Sequence, residues 1–128
     1  MLDDLRRFVE QESPSLDKAL VDRMGRLVGE LFVEKTGGDI RVVPSEVQGD
    51  NLIGTFGSGE RQILLIGHFD TVWAQGTLET MPFRIDGDRA YGPGTVDMKG
   101  GLIQGIYALH ALKERRGELP VRVVFLFN

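Results

Sequence analysis

Apolar residues recur at three- and four-residue steps through Leu16, Leu20, Met24, Leu27, Val28, Leu31 and Phe32, which places them on one stripe of a helix. Ser13 offers an N-cap with Pro14 at the first helical position, and Gly37-Gly38 offers a stop, so the pattern predicts a helix over residues 14–35. A shorter helical stretch, residues 2–11, precedes it. Short β-like runs follow at residues 40–43 and 51–56, the second closed by Gly57-Ser58-Gly59. Residues 63–66 (Ile-Leu-Leu-Ile) form a continuous apolar run, the pattern of a strand covered on both faces. Residues 83–85 and 89–91 flank Asp86-Gly87-Asp88 as a small hairpin. Residues 100–116 read as a helix whose last turn carries Lys113, Arg115 and Arg116, where cations complement the dipole, and Gly117 ends it. Residues 121–127 are a further apolar strand. Strand, helix, strand over the second half predicts an α/β fold: a mixed, largely parallel sheet flanked by helices.

The 128 residues suit one domain, with neither an internal repeat nor a domain linker. Fifteen basic residues against 19 acidic ones give a net charge of −4, so there is no cationic field for nucleic acid or an anionic membrane. The longest run without a formal charge, residues 100–112, is 13 residues, too short to span a bilayer. Cysteine is absent, which excludes disulfides, thiolate metal sites and cysteine nucleophiles. Asp3 and Asp4 precede Arg6 and Arg7, unlike a signal peptide, and a cytoplasmic address is the expectation. No serine lies in a nucleophile elbow, and no Walker or dinucleotide fingerprint occurs. The 17 glycines, about twice the average share, cluster in the second half among short apolar segments, as in a chain turning tightly around a site.

Two constellations carry candidate chemistry. Gly67-His68-Phe69-Asp70-Thr71-Val72 directly follows the apolar run 63–66, and ligands of open α/β sheets sit beyond the carboxyl ends of strands. In extended backbone His68 and Asp70 share a side, so the carboxylate can hold one imidazole nitrogen while the other binds a metal. The same pair also suits a solvated histidine and aspartate at a strand end. The second is Tyr91-Gly92-Pro93-Gly94-Thr95-Val96-Asp97-Met98-Lys99-Gly100-Gly101, whose small residues permit close backbone approach. Asp97 also suits a helix-capping role. Lys99 is expected in a structural ion pair ahead of meeting a substrate anion, Trp73 as a loop anchor ahead of lining a substrate pocket, and His110 as a packing or surface residue.

Together, residues 63–72, Pro82-Phe83-Arg84 and residues 90–101 resemble the N-terminal part of the M20 family of zinc metallopeptidases, and within it the glutamate carboxypeptidases of carboxypeptidase G type. The resemblance is detailed from about Arg61 onward, and the first sixty residues carry no signature of it. It implies a site of two zinc ions. His68 would bind one, Asp97 would bridge both beside a cis peptide bond to Met98, and Asp70 would orient His68 without binding metal. A bridging carboxylate offsets the repulsion of two close cations, which together activate water and an amide carbonyl. The implied reaction releases a C-terminal amino acid from a peptide or N-acyl amino acid, and the intact protein would be a homodimer. In that family the strand corresponding to residues 121–127 leads into an acidic pair, a general base and a zinc ligand, with further ligands and a lid or dimerisation domain later. Residues 1–128 are therefore expected to be the first portion of a catalytic domain, inactive alone and weak for zinc. An uncovered edge or apolar face would make the isolated chain self-associate. The alternatives are a related deacetylase or desuccinylase, or a non-catalytic α/β interaction module if the natural chain ends at Asn128.

Overall fold

The helical stripe and the apolar runs after it pack as two layers in the computed structural model, which describes residues 1–117 and 119–128. Of three helices, α1 (Leu2–Glu10), α2 (Lys18–Thr36) and α3 (Gly100–Arg116), α2 and α3 lie against a four-stranded sheet and α1 packs on both of them. Its strands are β1 (Asp39–Val43), β2 (Asn51–Phe56), β3 (Gln62–Gly67) and β6 (Arg122–Phe127), ordered β1-β2-β6-β3. A hairpin of β4 (Arg84–Asp86) and β5 (Arg89–Tyr91) stands apart from it. The expected mixed α/β sheet flanked by helices is thus present. Among the described strands it is not largely parallel as expected: the β1–β2 and β2–β6 pairs are antiparallel and only the β3–β6 pair is parallel, because β1 and β2 join the sheet as a meander beside β6. A parallel pair needs a long crossover, and here the hairpin and α3 supply it.

The core lies between the helices and one face of the sheet. Alternation along β6 buries Val123, Phe125 and Phe127, and β2 adds Leu52. Met24, Val28, Leu31 and Phe32 of α2 and Leu102, Ile103 and Ile106 of α3 meet them, all essentially excluded from water. The Phe32 ring meets Phe127 edge-on at 5.8 Å between centroids. It also fills the space over Gly54, where a Cβ atom would sit 2.9 Å from the ring, so only glycine lets strand and helix approach this closely.

Two elements depart from expectation. The long helix begins at Lys18 and not at residue 14. Asp17 is its N-cap, accepting a hydrogen bond from the Leu20 amide at 3.0 Å, and Leu16 is 97% exposed. Asp17 and Ser13 are both good capping residues. Tertiary pairing decides between them: Pro14 forms a parallel bridge with Thr71, and Ser13 turns its hydroxyl to the Phe69 carbonyl. Secondly, β3 is not covered on both faces. It is an edge strand, and Ile63, Leu64 and Ile66 are all exposed. Its only ladder partner among the described residues is β6, and the helices cover one face alone. No helix among the described residues is long and apolar enough to cross a membrane.

Candidate metal centre

The parallel ladder of β3 and β6 runs on past both strand ends, with Asn128 N donating to Gly67 O at 3.1 Å and Phe69 N to Asn128 O at 2.8 Å. This keeps residues 67–69 extended. Phe69 is driven inward and is fully buried, so alternation turns His68 and Asp70 together to the other side. His68 Nδ1 lies 3.1 Å from Asp70 Oδ1 and 3.1 Å from the Asp70 carbonyl oxygen.

The second loop arrives from β5. Gly94 adopts a positive φ of 69°, and a Cβ there would stand 2.6 Å from Thr71 Cγ2, so the loop needs glycine both for its turn and for its fit against the first loop. Lys99 N closes the turn on Gly94 O at 2.9 Å. Asp97 and Met98 leave helical backbone, and the Asp97–Met98 peptide is cis, as the resemblance implied. Asp97 caps no helix with its side chain. Its side chain is 85% exposed, and Oδ1 stands 2.9 Å from His68 Nε2.

His68, Asp70 and Asp97 therefore converge, with the imidazole between two carboxylates. Partial burial opposes protonation of His68, but its bonds to Asp97 and Asp70 outweigh it and raise the pKa above the ordinary histidine value. The three residues line a cavity of about 380 Å³ whose lining also includes the apolar side chains of Val72, Trp73 and Val96. Trp73, 41% exposed, lines this cavity. No group of three or more His, Cys, Asp or Glu side chains able to hold a metal ion occurs among the described residues. Asp70 faces Nδ1, so the groups here that could hold a metal are His68 Nε2 and the Asp97 carboxylate.

Lys99 departs from the expected ion pair. Only 1% exposed, it has no salt bridge among the described residues, and Nζ donates to the Gln11 carbonyl at 2.8 Å. Burial lowers its pKa to about 8, with the Glu12 and Asp70 carboxylates opposing in part. His110 is a packing residue: Nδ1 lies 2.9 Å from Lys35 O, and the ring meets Tyr107 edge-on.

Sequence reasoning missed residues 11–15, which run beside the first loop. Thr71 N donates to Ser13 O at 2.8 Å and Ser15 N to Thr71 O at 3.0 Å, while the Ser13 hydroxyl donates to Phe69 O at 2.8 Å. The one available signal was the second capping residue, Asp17, which frees Ser13-Pro14-Ser15 from the helix.

Residues 64–128 match the model of peptidase family M20/M25/M40, and the chain belongs to that family. It is 48% identical over 83 residues to carboxypeptidase G2 of Pseudomonas sp. (strain RS-16), covering 64% of this chain and 20% of that protein. Acetylornithine deacetylase of Pasteurella multocida (strain Pm70) is 37% identical over 112 residues, covering 80% of this chain and 29% of that protein. The fold is similar to part of an M20 family metallo-carboxypeptidase, Sso-CP2, from Sulfolobus solfataricus, with a TM-score of 0.85 at 20% identity over 99% of this chain and 30% of that one. The chain thus spans between a fifth and a third of the length of these relatives.

Proposed function

We propose that residues 1–128 form the N-terminal portion of the catalytic domain of a zinc-dependent amide hydrolase, which in its intact form releases a C-terminal amino acid. The remaining catalytic residues and the lid or dimerisation domain would lie outside them. The observation that carries this reading is His68 Nε2 facing Asp97 Oδ1 at 2.9 Å, with Asp70 behind the ring at Nδ1. That donor set fits zinc, which takes imidazole nitrogen and carboxylate oxygen and favours a histidine whose other nitrogen is held by a carboxylate.

His68 and Asp97 would hold the metal, with Asp97 bridging two ions. Bound metal supplies Lewis-acid activation of water and of the amide carbonyl. Asp70 holds the tautomer that leaves Nε2 free to donate, while the high exposure of Asp97 lets both its oxygens reach cations. Val72, Trp73 and Val96 offer an apolar wall to the acyl part of a substrate.

The test is turnover of an N-acyl-glutamate by the metal-replete intact protein. His68→Ala and Asp97→Ala are expected to abolish it, and Asp70→Asn to lower it by about 10–100-fold, the usual loss for a partner behind a metal ligand. Full turnover by Asp97→Ala would refute the bridging role. The likeness to acetylornithine deacetylase over 80% of the chain favours a second reading, a deacetylase of the same chemistry. Preference for N-acetylornithine over N-acyl-glutamate in the same assay would select it.

A further inference from the structure

The two candidate ligands sit on loops 29 residues apart in sequence. A third segment, residues 11–15 between α1 and α2, binds both loops. Toward the first it pairs with residues 69–71 through four hydrogen bonds: the three described above and Ser15 Oγ to Thr71 O at 3.1 Å. Toward the second it holds Lys99, two residues beyond Asp97, through the 2.8 Å bond from Nζ to Gln11 O. The lysine stem runs beneath Gly94, with Cδ 3.5 Å from where a Cβ of that residue would be. Glu12 adds a tie of its own, accepting from the Gly76 and Leu78 amides at 2.8 and 3.1 Å and so fixing the loop that carries Trp73.

A methionine would fill the buried space of the Lys99 side chain without burying a charge. Burial of an ammonium with one hydrogen-bond acceptor costs several kcal/mol. Packing alone therefore does not account for a cation here. Its position does: it stands among Gln11 O, Glu12 and Asp70, where the strap, the first loop and its own loop meet.

We propose that Lys99 is a positioning residue which, through the strap of residues 11–15, sets the spacing of His68 and Asp97 for a divalent cation. This rests on the metal reading above. The test is titration of the metal-free intact protein with Co²⁺ alone, read by its ligand-field absorption, with thermal unfolding of each protein followed in parallel. Lys99→Met is expected to bind Co²⁺ about tenfold more weakly or worse with an altered spectrum, while its unfolding midpoint holds or rises because a buried charge is gone. Ser13→Ala removes one hydroxyl of the strap and is expected to shift affinity and spectrum in the same direction by less; it decides the matter should Lys99→Met fail to fold. Wild-type affinity and spectrum in the folded variants would overturn the proposal, since a merely structural lysine changes the unfolding midpoint and not the cobalt spectrum. Failure of the wild type itself to bind Co²⁺ would overturn the metal reading, and this inference with it.

Discussion

The two faces of the four-stranded sheet are built from the same strands and differ in almost everything else. On the helix side, Leu52, Val123, Phe125 and Phe127 are buried under α2 and α3, and glycines sit where ring and strand touch. On the other side, Leu64 and Ile66 are 59% and 61% exposed, and their ladder partners Val124 and Leu126 are half-buried. Stability is therefore concentrated in one interlayer, and the candidate metal centre lies at the end of the parallel pair of central β6 and edge strand β3. The chemistry borrows its rigidity from the closed side. The open side adds little to holding His68 or Asp97.

The strongest way to break that contrast is at Phe32, which is fully buried between Gly54 and Phe127. Phe32→Ala is expected to cost about 3–5 kcal/mol of unfolding free energy, measured by denaturant titration. A cost below about 1 kcal/mol would mean that the helix side is not the principal source of stability.

A smaller effect is expected at the polar clasp joining α1 to α3 on the closed side, where the Tyr107 hydroxyl donates to the Asp4 carboxylate. Burial would raise the Asp4 pKa, but the bond from Tyr107, with Lys35 and the N-terminal ammonium, outweighs it and holds the carboxyl below its ordinary value. The same bond to Asp4, followed by burial, raises the Tyr107 hydroxyl above its ordinary value of 10.0. A lowered carboxyl stabilises the fold above its unfolded pKa and loses that contribution as the pH falls through the folded one. A raised phenol stabilises below its unfolded pKa and loses that contribution as the pH rises through the folded one. Tyr107→Phe should therefore cost about 1 kcal/mol near neutrality and flatten the stability profile on both flanks. An unchanged profile in pH-resolved denaturant titrations would remove the clasp from the account.

The smallest effect belongs to the open face. Leu64→Lys is expected to change unfolding free energy by less than about 0.5 kcal/mol. It should also reduce self-association of the isolated chain, because a charge on an exposed edge strand opposes edge-to-edge pairing. Light scattering that finds the unmodified chain monomeric at high concentration would show that the exposed apolar residues do not drive association.

Much of the fold was legible because it is local. The stripe ending in Leu31 and Phe32, the glycine stop at residue 37, the hairpin around Asp86-Gly87-Asp88 and the basic last turn of α3 depend on neighbours within a few residues, and each lies where the pattern put it. What misled was non-local. Residues 63–66 read as a doubly covered strand because an apolar run reports the character of a strand and not which of its faces is packed. Ser13 read as a cap because local chemistry permits it, whereas the Phe69 carbonyl claims its hydroxyl from 56 residues away. Lys99 read as half of an ion pair, yet its acceptor is a backbone carbonyl 88 residues distant that no side-chain pattern could announce.

Read alone, the chain determined its α/β class and its element boundaries to within a few residues, because periodicity and turn residues are properties of sequence; His68, Asp70 and Asp97 were singled out together only through the family resemblance of residues 63–72 and 90–101. Tertiary structure alone decided which face of the sheet is closed, that α2 begins at Lys18 with Asp17 as its cap, and that residues 11–15 tie both loops together. Those outcomes rest on hydrogen bonds and packing between segments tens of residues apart, and such pairings exist only once the chain has folded.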